Sequence, residues 1–321
     1  MVLLMWMLAC NGDEPDTSTG DTQVSPDDTA DQLDPDTVPL EGTCDLADDY
    51  GGFVVEVYED LSNVQGSVSD GVVPESVLEN TLEDNGCVLW RQNIAYCDGG
   101  CDAGEVCDFE GNCLPYPANQ DLGVVSIGGL AAEVSMEPVV PGYTYYDTSL
   151  SHPAFAGGEL VSLRMPEGTY GPVTLHGVGV EPLGGLEAEW VVEEGVDTLI
   201  TWDPPTASVV RSEILVKVRI DLHGSTPLTL ACIWEDTGSG TIPGKVMEAM
   251  VAGGVTGFPQ GFIWRRTADK AQVGEGCMDL VVSSPREVDV DVVNFTPCLT
   301  DEDCPEGQEC DVEFQICVDE G

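Results

Sequence analysis

The cysteines constrain what this chain of 321 residues can fold into more than any other feature. There are thirteen, and twelve of them follow residue 40, an even number that allows complete pairing. Because disulfides persist in the periplasm and at cell surfaces but are rare in the cytosol, this set indicates an exported protein. Zinc binding is the alternative, but spacings of mostly five and six residues differ from the C-x2–4-C pairs of structural zinc sites. The predicted disulfide cysteines are Cys44, Cys87, Cys97, Cys101, Cys107, Cys113, Cys232, Cys277, Cys298, Cys304, Cys310 and Cys317.

Eight of these cysteines form two copies of one short pattern, at 97–113 and 298–317. In each copy an aspartate, Asp108 or Asp311, directly follows the third cysteine. Four cysteines within about twenty residues cannot enclose a hydrophobic core, so two disulfides must hold each copy together. The pattern resembles the Cys-rich repeats of Dickkopf N-terminal type, which implies a structural knot rather than an activity. Of the three connectivities that four cysteines allow, we expect first to third and second to fourth.

The thirteenth cysteine, Cys10, ends the uncharged apolar segment 1–9 and precedes a segment rich in Asp, Thr, Ser and Pro. Leu8-Ala9-Cys10 resembles the lipobox of bacterial lipoproteins, in which the cysteine thiol is diacylated and becomes the new N-terminus. The resemblance implies a signal peptide at 1–9, a disordered acidic tether at 10–43 and a place in a bacterial cell envelope. Since the first basic residue is Arg91, we expect the true start of the signal peptide upstream. A buried N-terminal strand with a free cysteine is the alternative.

Acidic residues outnumber basic ones by 59 to 10, which gives a formal net charge of −49. Nucleic-acid phosphates and anionic lipid headgroups repel such a chain, so we expect no nucleic-acid partner and membrane contact through the lipid anchor. Calcium is the one cofactor that the acidic clusters suggest, with Asp301 and Asp303 as candidate ligands. No segment matches the D-x-D-x-D-G calcium loop, so we expect no cofactor and interpret the acidic residues as solvated charge.

Short segments rich in β-branched and aromatic residues, separated by Gly and Pro, predict a mainly β protein. They divide into a small β and disulfide domain at 44–117 and an antiparallel, Ig-like β-sandwich at 118–296. The second Cys-rich module follows at 297–321.

The clearest strand is 213–222, where apolar residues alternate with Lys217, Arg219 and Asp221. One short helix is predicted at Gly244–Ala252, before a Gly-Gly breaker. Other strands are predicted at 52–58, 64–68, 87–91, 123–127, 160–164, 173–178, 186–192, 198–202, 229–234, 262–266, 278–283 and 288–292. The other four predicted disulfide cysteines are expected to pair as Cys44–Cys87 and Cys232–Cys277.

Within the predicted sandwich, the segment 198–205 (TLITWDPP) resembles the second strand of fibronectin type III or immunoglobulin-like domains. In that family a buried Trp ends a strand just before a Pro-Pro turn, which implies that Trp202 is buried. The later tyrosine-containing strand of the family is not evident here. The resemblance therefore supports a β-sandwich without fixing its topology.

The sharpest catalytic motif is Asp236-Thr237-Gly238-Ser239, which matches the catalytic loop of aspartic proteases. Such enzymes need two carboxylates that share a proton, and this chain has one such motif, so a protease would have to act as a retropepsin-like dimer. The same string is typical of a hairpin turn. Asp236 is the only candidate for the alternative function, a secreted hydrolase.

Other chemical signals are weaker. Three histidines are widely spaced and match no metal or catalytic motif, and a cluster of tyrosines forms either a stacking platform for a glycan or part of a strand. The histidines are His152, His176 and His223, and the tyrosines are Tyr143, Tyr145 and Tyr146.

The chain as a whole resembles lipoproteins of Gram-negative bacteria that combine a lipobox, an acidic tether, Cys-rich repeats and an Ig-like domain. We expect a non-enzymatic binding, adhesion or envelope-structural module whose ligand is a protein or a glycan.

Overall fold

A computed structural model describes residues 33–206, 211–221 and 227–319 of the protein. Cys10, the predicted signal peptide, most of the predicted tether and His223 lie outside the described residues. The largest element is a ten-stranded mixed sheet, which we call the main sheet. Its path runs through β3 (Glu79–Asp84), β4 (Cys87–Arg91), β15 (Leu228–Glu235), β14 (Glu213–Arg219), β17 (Gln260–Val273), β18 (Gly276–Val292), β1 (Asp49–Val57), β2 (Ser62–Val68) and β9 (Tyr145–Asp147), with β12 (Glu189–Val192) also paired to β18.

Two hydrophobic cores lie on the same face of the main sheet. On β18, alternate residues at each end of the strand enter the cores: Met278, Leu280 and Val282 the first, Val288 and Val290 the second. The first core is closed by a four-stranded sheet of β11 (Val173–Val178), β10 (Leu160–Met165), β7 (Val125–Gly128) and β8 (Val134–Met136). The second is closed by β13 (Thr198–Thr201), β16 (Ser239–Ile242) and the helix α1 (Gly244–Ala252). The mainly β sandwich class is thus confirmed.

The long hairpin of β17 and β18 joins the two cores. Its strands pair from Gln260 and Asp289 to Val273 and Gly276, and the turn contains Gly274 at φ +58°. A two-residue turn needs such a left-handed position, which glycine adopts without steric cost. On its other edge β18 pairs in parallel with β1 and then with β12, whereas the remaining pairs of the main sheet are antiparallel as predicted.

The end of the predicted tether is part of the fold. β14 covers β17 only as far as Arg266, and the following edge of β17 is paired by the segment 41–43. There the Gly42 amide donates to the Ala268 carbonyl (3.1 Å), and Lys270 Nζ donates to the Thr43 carbonyl (3.0 Å). Val38 is buried as well. The boundary predicted at residue 43 therefore lies too far along the chain, because an open strand edge recruits the preceding residues.

The sequence also places a domain boundary at 117/118 that the structure does not have. β1 to β4 come from the predicted small domain, yet they lie in the same sheet as β14, β15, β17 and β18. β4 pairs with β15 from Arg91 opposite Leu228 to Cys87 opposite Cys232. The strands of 44–117 and 118–296 thus form one structural unit. No helix in the described part of the chain has the length and hydropathy required to cross a membrane.

All twelve predicted disulfide cysteines are paired, but two long-range pairings were predicted wrongly. The structure pairs Cys44 with Cys277 and Cys87 with Cys232, instead of Cys44 with Cys87 and Cys232 with Cys277. The reason is register: Cys87 and Cys232 lie directly opposite each other on β4 and β15. Since every sulfur in these clusters belongs to a disulfide, none is left as a thiolate ligand for zinc.

Both Cys-rich modules have the connectivity that was predicted, first to third and second to fourth. Each module contains one short hairpin, of β5 (Glu105–Cys107) with β6 (Cys113–Pro115) and of β19 (Gln308–Asp311) with β20 (Ile316–Asp319). The repeated aspartate has a structural role. Asp108 Oδ1 accepts the amides of Glu110 and Asn112, and Asp311 Oδ1 accepts that of Glu313, which fixes the turn of each hairpin.

Candidate functional site

A groove of about 460 Å³ lies on the face of the main sheet that points away from both cores. We call this the outer face; Val54 on β1, Gln65 on β2 and Tyr146 on β9 form one row across it, because Val54 lies opposite Gln65 and Gln65 opposite Tyr146. Side chains alternate between the two faces of a strand, so the buried neighbours Phe53 and Tyr145 enter the core instead. We call this feature the outer-face groove; its volume falls within the range of small-ligand sites.

One wall of the outer-face groove is the ring of Tyr146, which is 56% exposed. Of the three clustered tyrosines, only Tyr146 offers an exposed ring to the groove. The Tyr145 ring packs against Phe53 at 5.7 Å, and its hydroxyl accepts the Leu122 amide at 2.9 Å. Tyr143 is not among the lining residues. The tyrosine cluster thus contributes one side chain to the groove, while Tyr145 holds β9 on the core.

The polar groups of the outer-face groove are largely unused. Asn63 Oδ1 is buried and has no hydrogen-bond partner among the described residues. Gln65, Ser67 and Thr144 also line the groove, and their side chains make no hydrogen bond within the described part of the chain. A buried unpaired acceptor costs about 1–3 kcal/mol, so a group that donates to Asn63 stabilises this arrangement. None of the twelve lining residues is charged.

The floor of the groove contains Gly51 and Gly52, where the backbone takes the place of side chains. A Cβ atom on Gly52 would lie 2.5 Å from Asp279 Oδ1, so the carboxyl group of Asp279 lies directly beside this glycine. Burial, and next the charge of Asp49, raise the pKa of Asp279 to about 6, whereas the Cys44 amide, Arg266 and Lys270 act in the opposite direction. A carboxyl group that titrates near neutral pH thus borders the groove.

The raised pKa of Asp279 predicts a specific pH dependence of stability. Below about pH 4 the Asp279 carboxyl group is protonated in both the folded and the unfolded state. Between about pH 4 and 6 the folded state keeps the proton that the unfolded chain loses. The free energy of unfolding therefore falls as the pH rises through this range. Asp279→Asn should therefore raise the free energy of unfolding by about 1–2 kcal/mol at pH 7.5 and by little at pH 4, since one pKa unit corresponds to about 1.4 kcal/mol and Asp279 is only half-buried. Urea titrations of both proteins at the two pH values measure this difference. Asp291→Asn, an exposed change on the same strand, should show no such pH-dependent gain; equal gains in both variants would contradict the assignment.

Asp236, the candidate protease residue, lies in a buried polar network between the two cores. Its side chain is 3% exposed and is paired with Arg265, itself 1% exposed, at 2.6 Å from Nε to Oδ2. Trp202 Nε1 donates to Oδ1 and Ser212 Oγ to Oδ2, each at 2.7 Å. Both carboxylate oxygens are therefore occupied by protein donors. The D-T-G segment is a turn, as one interpretation expected, but it joins β15 to β16 in different sheets rather than closing a hairpin.

Arg265 connects this network to two loops. All five of its N–H groups are used: two contact Asp236 and the others donate to the carbonyls of Glu181, Pro182 and Asp203. Trp202 is 3% exposed, as the fibronectin-like resemblance implied, and stacks on Trp234 at 6.2 Å. The arrangement is that of a structural ion pair and differs from the proton-sharing carboxylates of an aspartic protease.

The two described histidines have separate surroundings. His152 Nδ1 contacts Ser62 Oγ at 3.0 Å, and its Nε2 contacts the Glu59 carbonyl at 3.1 Å. His176 lies 4.0 Å from Asp269, and burial lowers the pKa of His176 despite that carboxylate. They share no partner among the described residues, so the structure does not bring them together.

The carboxylates of the calcium candidates Asp301 and Asp303 accept backbone hydrogen bonds. Asp301 Oδ1 accepts the Cys310 amide (2.9 Å), and Asp303 Oδ2 accepts the amides of Leu299 (2.8 Å) and Thr300 (2.9 Å). These bonds lower the pKa of Asp303. Both residues thus hold the short 3-10 turn Asp301–Asp303 in place, a role that does not require a cation.

Comparisons with known proteins add little to this description. No protein-family model matches the chain, and no curated protein matches it. Among solved structures, the chain is similar to the FN1–FN3 domains of chicken CNTN1, with a TM-score of 0.18, 7% sequence identity and 70% of each chain covered. At this TM-score the likeness carries no conclusion about fold or function, and the sandwich assignment rests on the strands themselves.

The sequence interpretation missed Asn63 and Gln65. A signal was present, because Asn63, Gln65 and Ser67 alternate with Ser62, Val64, Gly66 and Val68 along β2, although the predicted strand began only at residue 64. Such alternation places polar side chains on one face and small or apolar ones on the core. What the sequence cannot supply is the neighbour of this strand, since β9 follows β2 after more than seventy residues.

Proposed function

We propose that the protein is an exported, lipid-anchored, non-enzymatic binding module of a bacterial cell envelope, with the outer-face groove as its ligand site. The observation that carries the binding role is the groove itself, which is lined both by the exposed Tyr146 ring and by Asn63, whose amide oxygen has no partner among the described residues. Pockets that combine an aromatic or apolar surface with a few free polar groups are typical ligand sites. The site lies on strands of a disulfide-linked sheet, which hold it rigidly.

Two features support the exported and anchored part of the proposal. Twelve paired cysteines suit an oxidising compartment. The segment Leu8-Ala9-Cys10 offers a lipidation site, and the acidic residues that follow give a spacer of low hydrophobicity.

Intact mass of the protein extracted from membranes of the producing cells tests the anchor. We expect cleavage before Cys10, a mass increase from acyl chains, and no thiol that reacts with an alkylating reagent before reduction. Cys10→Ala should release the chain from the membrane fraction, because one acyl-modified residue supplies the attachment. An unacylated product with alkylatable thiols would overturn the proposal that the protein is exported and lipid-anchored.

A hydrolase is the second candidate, and Asp236 is its only sequence signal. The carboxylate of Asp236 is bound by Trp202, Ser212 and Arg265 and is 3% exposed, so the geometry favours binding over hydrolysis. If Asp236→Asn abolished a peptidase activity of the folded protein, the non-enzymatic proposal would fail.

A further inference from the structure

We propose that the outer-face groove binds a neutral oligosaccharide, which stacks a sugar ring on Tyr146 and donates hydroxyl hydrogen bonds to Asn63 and Gln65. This inference rests on the proposed function, since it names the ligand of the same site.

The aromatic wall supplies the first argument. The Tyr146 ring is 56% exposed at the end of the row Val54, Gln65, Tyr146, so one of its faces is free to contact a ligand. The face of an aromatic ring carries partial negative charge, which attracts the weakly positive C–H groups on one side of a sugar ring. Together with Val54 and the glycine floor, the ring gives the flat, partly apolar surface that a pyranose needs.

The polar groups supply the second argument. Asn63 offers a buried acceptor without a partner, and Gln65, Ser67, Thr144 and Thr148 add amide and hydroxyl groups that the described fold does not use. Amides and hydroxyls both donate and accept. A ligand rich in hydroxyl groups also donates and accepts at every position, so it can satisfy the Asn63 oxygen and its neighbours together, whereas an apolar ligand would leave them unpaired.

Charge selects the neutral class. No lining residue is cationic, and the chain carries a formal net charge of −49, so sulfated, phosphorylated or sialylated ligands meet repulsion without a compensating partner. No lining residue is anionic either; Asp279, the carboxyl group beside Gly52, is half-buried and hydrogen-bonded to the Cys44 amide, so it offers a basic peptide little exposed charge. Hydrogen bonding and stacking are what remain, and both suit neutral sugars.

The test is a glycan array probed with the full chain in detergent. The array presents neutral hexose and N-acetylhexosamine oligosaccharides of about two to six units beside their sulfated and sialylated counterparts, with extended peptides as a second set. We expect the neutral oligosaccharides to bind. In titrations with the neutral oligosaccharide that binds most tightly, Tyr146→Ala should weaken binding by at least about 10-fold, and Gln65→Ala by about 3- to 10-fold.

The matched control is Tyr116→Ala, since Tyr116 is also an exposed tyrosine (55%) but directly follows β6 of the first Cys-rich module. It should leave binding unchanged, and the urea midpoints of all variants should stay close to wild type because the replaced side chains are exposed. Failure of every neutral oligosaccharide to bind, or preferential binding of the acidic ones, would overturn the inference. A peptide whose binding is lost in Tyr146→Ala would overturn the inference but support the proposed function. Ligands whose binding neither groove variant changes would overturn both.

Discussion

Replacement of Arg265 by methionine is expected to lower the free energy of unfolding by about 3–5 kcal/mol. The variant leaves the carboxylate of Asp236 buried at 3% exposure without its counter-charge, and it removes the donors to the carbonyls of Glu181, Pro182 and Asp203. Uncompensated buried charge is among the largest costs that one substitution can introduce. Equilibrium urea unfolding at pH 7, followed by tryptophan fluorescence, measures the loss.

The adjacent arginine offers a matched control. Arg266 lies on the outer face with its own side chain 10% exposed, but its partner Glu213 is 38% exposed and stays hydrated when the arginine is removed, so Arg266→Met should cost only about 1 kcal/mol. The double variant Asp236→Asn/Arg265→Met should recover part of the loss, because it removes the buried charge and leaves an amide oxygen that can accept from Trp202. Similar losses in Arg265→Met and Arg266→Met would show that the buried network does not stabilise the fold as described.

The polarity pattern of β17 shows how much of the buried Arg265–Asp236 ion pair could be predicted from the sequence alone. In the segment 263–266 (IWRR), strict alternation puts Arg265 on the same face as Ile263, which is buried, and Arg266 on the opposite face. One of two adjacent arginines must therefore enter the core. Its partner could not be inferred, because Asp236 lies in a turn 29 residues away in the sequence that only the tertiary fold brings beside Arg265.

Elements with a strong local pattern were predicted well. The helix Gly244–Ala252 has the predicted bounds, and β14 buries Ile214, Val216, Val218 and the following Ile220 as its alternation indicates. The disulfide connectivity of the Cys-rich modules was likewise predicted from residues that lie close together in the sequence. In each case the signal lies within one stretch of fewer than about twenty-five residues.

The sequence predicts two strands, at 278–283 and 288–292, on either side of Pro285. The structure has one strand of 17 residues, Gly276–Val292. Pro285 lies opposite Trp264, in the stretch where β18 has no second neighbour, after its pairing with β1 ends at Ser283 and before its pairing with β12 begins at Asp289. Proline has no amide to donate, and this gap requires none. Only the order of the strands reveals the gap.

Strand order also decides the long-range disulfides and leads to the second large expected effect. Cys87→Ala/Cys232→Ala should lower the free energy of unfolding by about 4–5 kcal/mol, since the disulfide closes a loop of 145 residues in the unfolded chain. Both cysteines are fully buried in the second core, so the change also removes packed sulfur atoms between β4 and β15. Paired alanines leave no free thiol that could exchange with the other disulfides.

The C-terminal module supplies the comparison that separates a global from a local effect. Cys304 and Cys317 are only 13 residues apart, and their disulfide holds the hairpin of β19 and β20 rather than the main sheet. Cys304→Ala/Cys317→Ala should therefore loosen amide hydrogen exchange within the module while the urea midpoint of the main sheet changes little. In Cys87→Ala/Cys232→Ala, faster exchange should instead reach β4, β15 and β14, since β15 joins the edge strands to the rest of the sheet. An unchanged urea midpoint in that variant, or tryptic peptides of the wild type that join Cys232 to Cys277, would refute the pairing and with it the strand order that places β4 beside β15.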